Sequence, residues 1–344
     1  MFKQLHPAII IALYYNVSSR IITITVSLLV ILSQGVDAQQ KRMVAIGSST
    51  TAGYITTSED SSWFGHLRKY YGCQLGILDT CYNYGVPGTG VYVGMPSSYS
   101  PPAGRARPDT KSNITKAVEV LTTLTNPADG AIIVNYPSND YNILTIPEIM
   151  KCLQVIYDSA TRDGNRCFIT TTQPRTDSLF RSSAMKKKLA DIKDSTINRF
   201  GVEHTINFWD GMFNPADTTI LPKYSAGDVI HFNNAGHRVL YERIVAKNIF
   251  GLPFWYAAST GALNLLTTWG SNVDGTGTHP VTFTANNQVF IVVNNLAPTI
   301  NGNWTISGSN VQLIIGNGVR PVKFNIPPAY RLTITSPQPP SNCN

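Results

Sequence analysis

Met43-Val44-Ala45-Ile46-Gly47-Ser48-Ser49-Thr50-Thr51-Ala52-Gly53 is the stretch that decides the fold. Four consecutive apolar residues ending at a glycine are too short for a buried helix and fit a strand covered on both faces. The small polar residues after it read as a strand-to-helix turn, which places a hydroxyl at the carboxyl end of a sheet, where open α/β folds bind their ligands. Working outward, Trp63–Tyr71 has helical character and Leu75–Tyr84 contains a second strand. Thr115–Leu124 is helical in period, and Ala131-Ile132-Ile133-Val134 is a third strand. Ile146–Ala160 is a helix, Cys167–Thr172 a fourth strand, Ser182–Phe200 a long helix and Glu203–Phe208 a fifth strand. Asn233–Ile249 is a last helix, with Asn233 as its cap. Strands alternating with helices predict an α/β domain with a mostly parallel sheet, covered on both faces.

After Pro253 the character changes. Residues 260–336 carry little charge and no helical period, and their alternating Thr, Val, Asn, Gly and Ile predict all-β structure. Gly275-Thr-Gly-Thr-His-Pro-Val-Thr-Phe283 is echoed by Gly316-Asn-Gly-Val-Arg-Pro-Val-Lys-Phe324, with Trp269 and Trp304 upstream of the two copies. Two copies of one β unit would bury a shared face. The expected organisation is therefore a leader (1–38), an α/β domain (39–253), a small all-β accessory domain with two related repeats (254–336) and an extended tail (337–344). Trp269, Trp304 and Tyr330 are either core of the β region or platforms for stacking on sugars.

Residues 1–38 read as an export signal: Lys3 and Arg20 precede the apolar run Ile21–Leu32, and Val36-Asp37-Ala38 suits cleavage after Ala38. The run is shorter than the ~20 residues that span a bilayer, which disfavours the alternative of an uncleaved anchor. The expected location is secreted, periplasmic or cell-surface. Of the 344 residues 14% are charged, and the formal charge is +7, or +6 once Lys3, Arg20 and Asp37 leave with the leader. The basic residues are scattered apart from Lys186-Lys187-Lys188, a solvated helix face, and no nucleic-acid motif is present. The five cysteines suggest the local pairs Cys73/Cys81 and Cys152/Cys167, with Cys343 left over, and their spacing resembles no zinc site.

Four short segments carry chemistry: Gly47-Ser48-Ser49-Thr50, Gly85-Val86-Pro87-Gly88, Pro137-Ser138-Asn139-Asp140 and Asp228-Val229-Ile230-His231. In the last, a carboxylate three residues before a histidine can hold the imidazole tautomer while the other ring nitrogen faces a hydroxyl. The plainer alternative is a helix-cap Asp with an incidental surface His. His237 is a competing base, although its place inside the last helix suits packing. Ser49 supplies a hydroxyl, or else a helix cap. Asn139 and Gly88 can bring an amide and a close backbone N–H to a developing oxyanion, or can serve simply as turn residues. Gln173 and Arg175, just past the fourth strand, would reach the rim of the same site. Arg175 suits either a polar substrate or a structural ion pair.

In this order and context, the four segments resemble the conserved blocks of the SGNH hydrolases, also called GDSL-type esterases and lipases, over residues 42–250. The resemblance implies a flavodoxin-like three-layer α/β/α sandwich and a metal-free site without a cofactor. It implies Ser49 as nucleophile, His231 as general base and acid, and Asp228 as its orienter. The oxyanion hole would combine the Ser49 N–H, the Gly88 N–H and the Asn139 amide. Two residues depart from the family pattern. Ser48 stands where an aspartate is usual, and Pro137 replaces the usual glycine two residues before Asn139, fixing φ and removing an N–H. The expected activity is that of a secreted serine esterase removing short acyl groups, acetyl above all, from an extracellular carbohydrate. A lipid or lysophospholipid esterase is the alternative, and an inactive surface or carbohydrate-binding protein is the alternative of another class. No stable membrane span is expected after leader cleavage, and the oligomeric state is not legible.

Overall fold

A strand such as β1 (Lys41–Gly47) sends successive side chains to opposite faces, and both of its faces are apolar. In the computed structural model, which describes residues 41–177, 182–295, 297–308, 311–316 and 324–335, Val44 and Ile46 enter one core and Met43 and Ala45 another. The expected leader, the tail 337–344 and Cys343 lie outside the described residues. Beside β1, β2 (Leu78–Gly85), β3 (Gly130–Asn135), β4 (Arg166–Thr170) and β5 (Thr205–Ile206) complete a parallel sheet in the order β2-β1-β3-β4-β5. This is the flavodoxin-like order, whose switch point opens a crevice between the carboxyl ends of β1 and β3.

Among the described residues six α-helices accompany the sheet: α1 (Ser49–Ala52), α2 (Trp63–Leu67), α3 (Ile114–Glu119), α4 (Ile146–Thr161), α5 (Ser183–His204) and α6 (Asn234–Ala246). Helices α3, α4 and α5 cover the Val44 face, through residues such as Ile114, Leu153 and Ile192. Helices α2 and α6 cover the Met43 face, through Trp63, Leu67, Leu240 and Ile244. Asn233 caps α6 by accepting from the Gly236 N–H at 3.0 Å. Thr145 caps α4 by accepting from the Glu148 N–H at 3.3 Å. Three elements differ from expectation. Helix α2 continues as a π-helical segment, Arg68–Gln74. Helix α3 stops at Glu119, because the chain then tightens into i→i+3 turns such as Leu121 N–H to Val118 O at 2.9 Å. The fifth strand shrinks to two residues because α5, broken at Gly201 (φ 73°), runs on to His204.

The chain after Pro253 forms short strands: β6 (Phe254–Ala257), β7 (Trp269–Gly270), β8 (Val289–Val292), β9 (Trp304–Ser307), β10 (Gln312–Ile315) and β11 (Leu332–Thr335). They make a four-stranded sheet, β10-β8-β6-β7, and a pair, β11-β9. The two tryptophans preceding the sequence repeats meet in one aromatic core, their ring centroids 5.8 Å apart, with Phe283 and Phe290 against them. Residues 317–323 of the second repeat lie outside the described residues. Trp269 is wholly buried and Trp304 is 2% exposed, so neither is a sugar platform, and Tyr330 packs half-buried against the same core. Val289 joins the Met43 core, with Phe254, Ile291 and Ile314 packed against it, so the β region shares apolar contacts with the α/β layer.

The cysteines also depart from expectation. Cys81, Cys152 and Cys167 are free thiols, while Cys73 is disulfide-bonded, so neither local pair forms. Cys152 on α4 and Cys167 on β4 are instead buried members of the core. Among the described residues no helix is long and apolar enough to cross a membrane, and no group of three His, Cys, Asp or Glu side chains is placed to hold a metal ion.

Candidate active site

Strand β1 ends at Gly47, where a Cβ would lie 2.2 Å from Thr51 Oγ1 and 2.6 Å from the Asn135 carbonyl. Only a residue without a side chain lets the chain turn this closely against β3. Ser48 then donates its N–H to Asn135 O at 3.1 Å, and Ser49 opens the single turn of α1, where the first N–H groups have no intrahelical acceptor. Gly53, in the left-handed region at φ 74°, closes that turn, and Trp63 Nε1 donates to Thr50 O at 2.8 Å. The Ser49 side chain is thus held on a one-turn helix fastened at both ends.

Asp228 builds the opposite wall. Its Oδ1 accepts from the N–H groups of Ile230 at 3.2 Å and His231 at 2.9 Å, folding the four residues into a tight loop. Its Oδ2 accepts from His231 Nδ1, and His231 Nε2 lies 2.8 Å from Ser49 Oγ. With Nδ1–H committed to the carboxylate, Nε2 is the acceptor for the serine proton. Burial raises the Asp228 pKa, but the bonds from the His231 ring and from the His231 and Ile230 backbone outweigh it and hold the carboxyl below its ordinary value. Between them Val229 sits at φ 69°, a strained conformation for a β-branched residue, and its carbonyl accepts from the Thr176 N–H at 2.7 Å.

His237, the competing base, is buried in α6 with Nδ1 accepting from the Trp63 N–H at 3.3 Å. Burial, then the nearby His231 and His66, push its pKa down to about 3. It is a neutral packing histidine.

Gly88 adopts φ 78°, and a Cβ there would meet nothing within 4 Å, so its left-handed backbone rather than crowding calls for glycine. Asn139 reaches the same loop: its Nδ2 donates to Thr89 O at 2.9 Å. Asp140 adds a second tie, accepting from the Val91 N–H at 2.9 Å. Burial raises the Asp140 pKa to about 7, against the lowering effect of that bond. Pro137 fits its place: Asn139 N–H points to Tyr136 O at 3.4 Å, so Pro137 occupies the second position of a turn that its fixed φ favours.

Gln173 and Arg175 are engaged by the protein itself. Gln173 accepts from Thr50 Oγ1 at 2.8 Å and donates to Ile230 O at 3.1 Å, latching the nucleophile turn to the histidine loop. Arg175 pairs with Asp177 at 2.8 Å. Tyr54 was not among the expected site residues. Half-exposed, it stands edge-on to the His231 ring with centroids 4.9 Å apart. Its only sequence signal is Gly53, which turns the chain back over α1. The structure therefore brings Ser49, His231 and Asp228 into one hydrogen-bonded line, with Gly88 and Asn139 on adjoining, mutually bonded loops.

No family model matches the chain, and no curated protein does. Solved structures do resemble it. A lipolytic protein of the G-D-S-L family from Veillonella parvula is 16% identical, over 60% of this chain and 97% of the other, with a TM-score of 0.43. The esterase EstA from a Pseudoalteromonas species is 11% identical, over 61% and 97%, with a TM-score of 0.40. A two-domain esterase active on acetylated mannans is 14% identical, over 60% and 48%, with a TM-score of 0.39.

Proposed function

We propose that the protein is a serine ester hydrolase working through an acyl-enzyme. The observation that carries this reading is the His231 ring, which joins Asp228 on Nδ1 to Ser49 Oγ on Nε2. Ser49 Oγ attacks the ester carbonyl carbon as its proton passes to Nε2. The tetrahedral intermediate collapses, its C–O bond to the alcohol breaks, and Nε2 returns the proton to the departing oxygen. Water then attacks the acyl-enzyme, losing a proton to Nε2, and the acid is released as Ser49 is restored. The Ser49 and Gly88 N–H groups and Asn139 Nδ2 are the donors for the oxyanion, each of a kind worth roughly 10²–10³ in turnover.

We assign the substrate as an acetyl-sized ester on an extracellular carbohydrate, with export of the protein ahead of the reaction. The export-type leader and the appended β region support this choice. So does Tyr54, beside the imidazole that protonates the leaving alcohol, where a half-exposed aromatic ring suits the apolar face of a sugar. The test is hydrolysis of p-nitrophenyl acetate from pH 6 to 9 by wild type and Ser49→Ala. No turnover by wild type sinks the hydrolase reading, and equal turnover by the variant sinks Ser49 as nucleophile. An acyl-length series with acetylated mannan and a lysophospholipid tests the substrate, and preference for long acyl chains would refute the acetyl assignment.

A further inference from the structure

The structure assigns Arg175 a positioning role: its guanidinium orients the Asn139 amide and polarises it toward the oxyanion. This rests on the ester-hydrolase reading above. A side-chain amide has two ends of nearly the same shape, and only the Nδ2 end can donate to an oxyanion. Nδ2 donates to Thr89 O at 2.9 Å, and Oδ1 accepts from Arg175 Nη1 at 3.3 Å. A flipped amide would set Oδ1 against a carbonyl and Nδ2 against a guanidinium, losing both bonds to repulsion. Nδ2 carries two hydrogens, so the one not committed to Thr89 remains for substrate.

The guanidinium is itself fixed. Its Nε donates to Asp177 Oδ1 at 2.8 Å, and Nη1 also donates to Ser138 O at 3.3 Å. Its plane centre lies 5.2 Å from the Tyr141 ring, whose hydroxyl donates to Asp177 Oδ2 at 3.3 Å. Arg175 is 7% exposed, so its charge acts on the amide with little water between them. A cation on Oδ1 draws electron density from the amide and makes Nδ2–H a stronger donor, most of all when negative charge develops opposite it. The turn that carries Asn139 is held by a long 3.4 Å backbone bond and by Ser138 Oγ accepting from the Gln173 N–H at 3.0 Å, which place the residue but leave the orientation of its amide to the side-chain tie. It spans the carboxyl ends of β3 and β4, which parallel pairing brings together.

The test is a cycle of Arg175→Met, Asn139→Ala and the double variant, assayed on p-nitrophenyl acetate with wild type alongside. Arg175→Met is expected to lower kcat roughly 10- to 100-fold, less than the ~10²–10³ of a donor lost outright because the amide remains, with KM changed less than about twofold. The double variant is expected to be no slower than Asn139→Ala, because the arginine acts through that amide. Arg175→Lys, which keeps the charge beside Asp177 but not the fork, is expected to recover part of kcat. Losses that multiply in the double variant, or a raised KM at unchanged kcat, overturn the proposal while leaving an active wild type as a hydrolase. No turnover by wild type overturns both. Should Arg175→Met lose cooperative thermal unfolding, Arg175→Lys carries the test: a reduced kcat at unchanged KM supports the proposal, and an unchanged kcat overturns it.

Discussion

Gln173 joins two segments that must stay in register, and its removal has a size that can be worked from the structure. Thr50, on the nucleophile turn, and Gln173 itself are buried, whereas Ile230 on the histidine loop is half-buried. Gln173→Leu keeps an apolar stem of similar length but deletes both hydrogen bonds. A buried group stripped of its partner costs about 1–3 kcal/mol. Thr50 Oγ1 bears that loss in full and Ile230 O, open to some water, bears less. The sum is about 2–4 kcal/mol, or a fall in melting temperature of roughly 3–6 °C for a chain of this length. The kinetic consequence follows from the same contacts. Loosening the Ile230 carbonyl lets His231 drift from Ser49, and a displacement near 1 Å costs about 100-fold. Thermal unfolding by circular dichroism together with steady-state kinetics on p-nitrophenyl acetate measures both. The expected pattern is lower stability and lower kcat at nearly constant KM. A variant of wild-type stability whose only change is a raised KM would refute the latch and return Gln173 to the role of a substrate contact.

Other expectations are equally direct. Asp228→Asn leaves the loop geometry near native but favours the wrong tautomer of His231, so kcat should fall on the order of 10⁴-fold; a loss under tenfold speaks against Asp228 as the orienter. Asp140 has a folded pKa of about 7, above its ordinary value near 3.8. The unfolded chain therefore ionises first, and this group's effect is to lower stability as pH rises from about 4 to 7, by up to roughly 4 kcal/mol at 1.36 kcal/mol per unit. Asp140→Asn should gain on wild type across that window, as read by urea unfolding at pH 4.5 and 8, and an equal difference at both pH values would contradict it. Trp269→Ala should destabilise by about 3–5 kcal/mol as a core truncation, as read by urea unfolding; wild-type stability would show that the aromatic core is not structural.

What was legible in the sequence was local. Met43–Ile46 could be read as a buried strand because four apolar residues ending at glycine have few other uses, and Asp228–His231 because its geometry closes within four residues. The ties that set the site are not local: Thr50 to Gln173 spans 123 residues, Arg175 to Asn139 spans 36, and Asn139 to Thr89 spans 50. No periodicity records such pairings, so the sequence places Gln173 at the rim without its latch and leaves Arg175 open between a substrate contact and a structural ion pair. The cysteines misled for the same reason. Closeness in sequence suggested Cys152/Cys167, yet α4 and β4 give each thiol apolar neighbours instead. The aromatic core of the β region was open to two readings because tryptophan suits both a core and a sugar platform, and only burial separates them.

Val229 has a consequence for how this protein would evolve. A β-branched residue at φ 69° stands at odds with its own backbone, at a cost of about 1–3 kcal/mol. Glycine or asparagine would relieve it, so selection for heat resistance alone should arrive at this position early. The same relief would widen the range of loop shapes between Asp228 and His231. Under selection for turnover the valine should persist, as a site where natural history trades durability for speed.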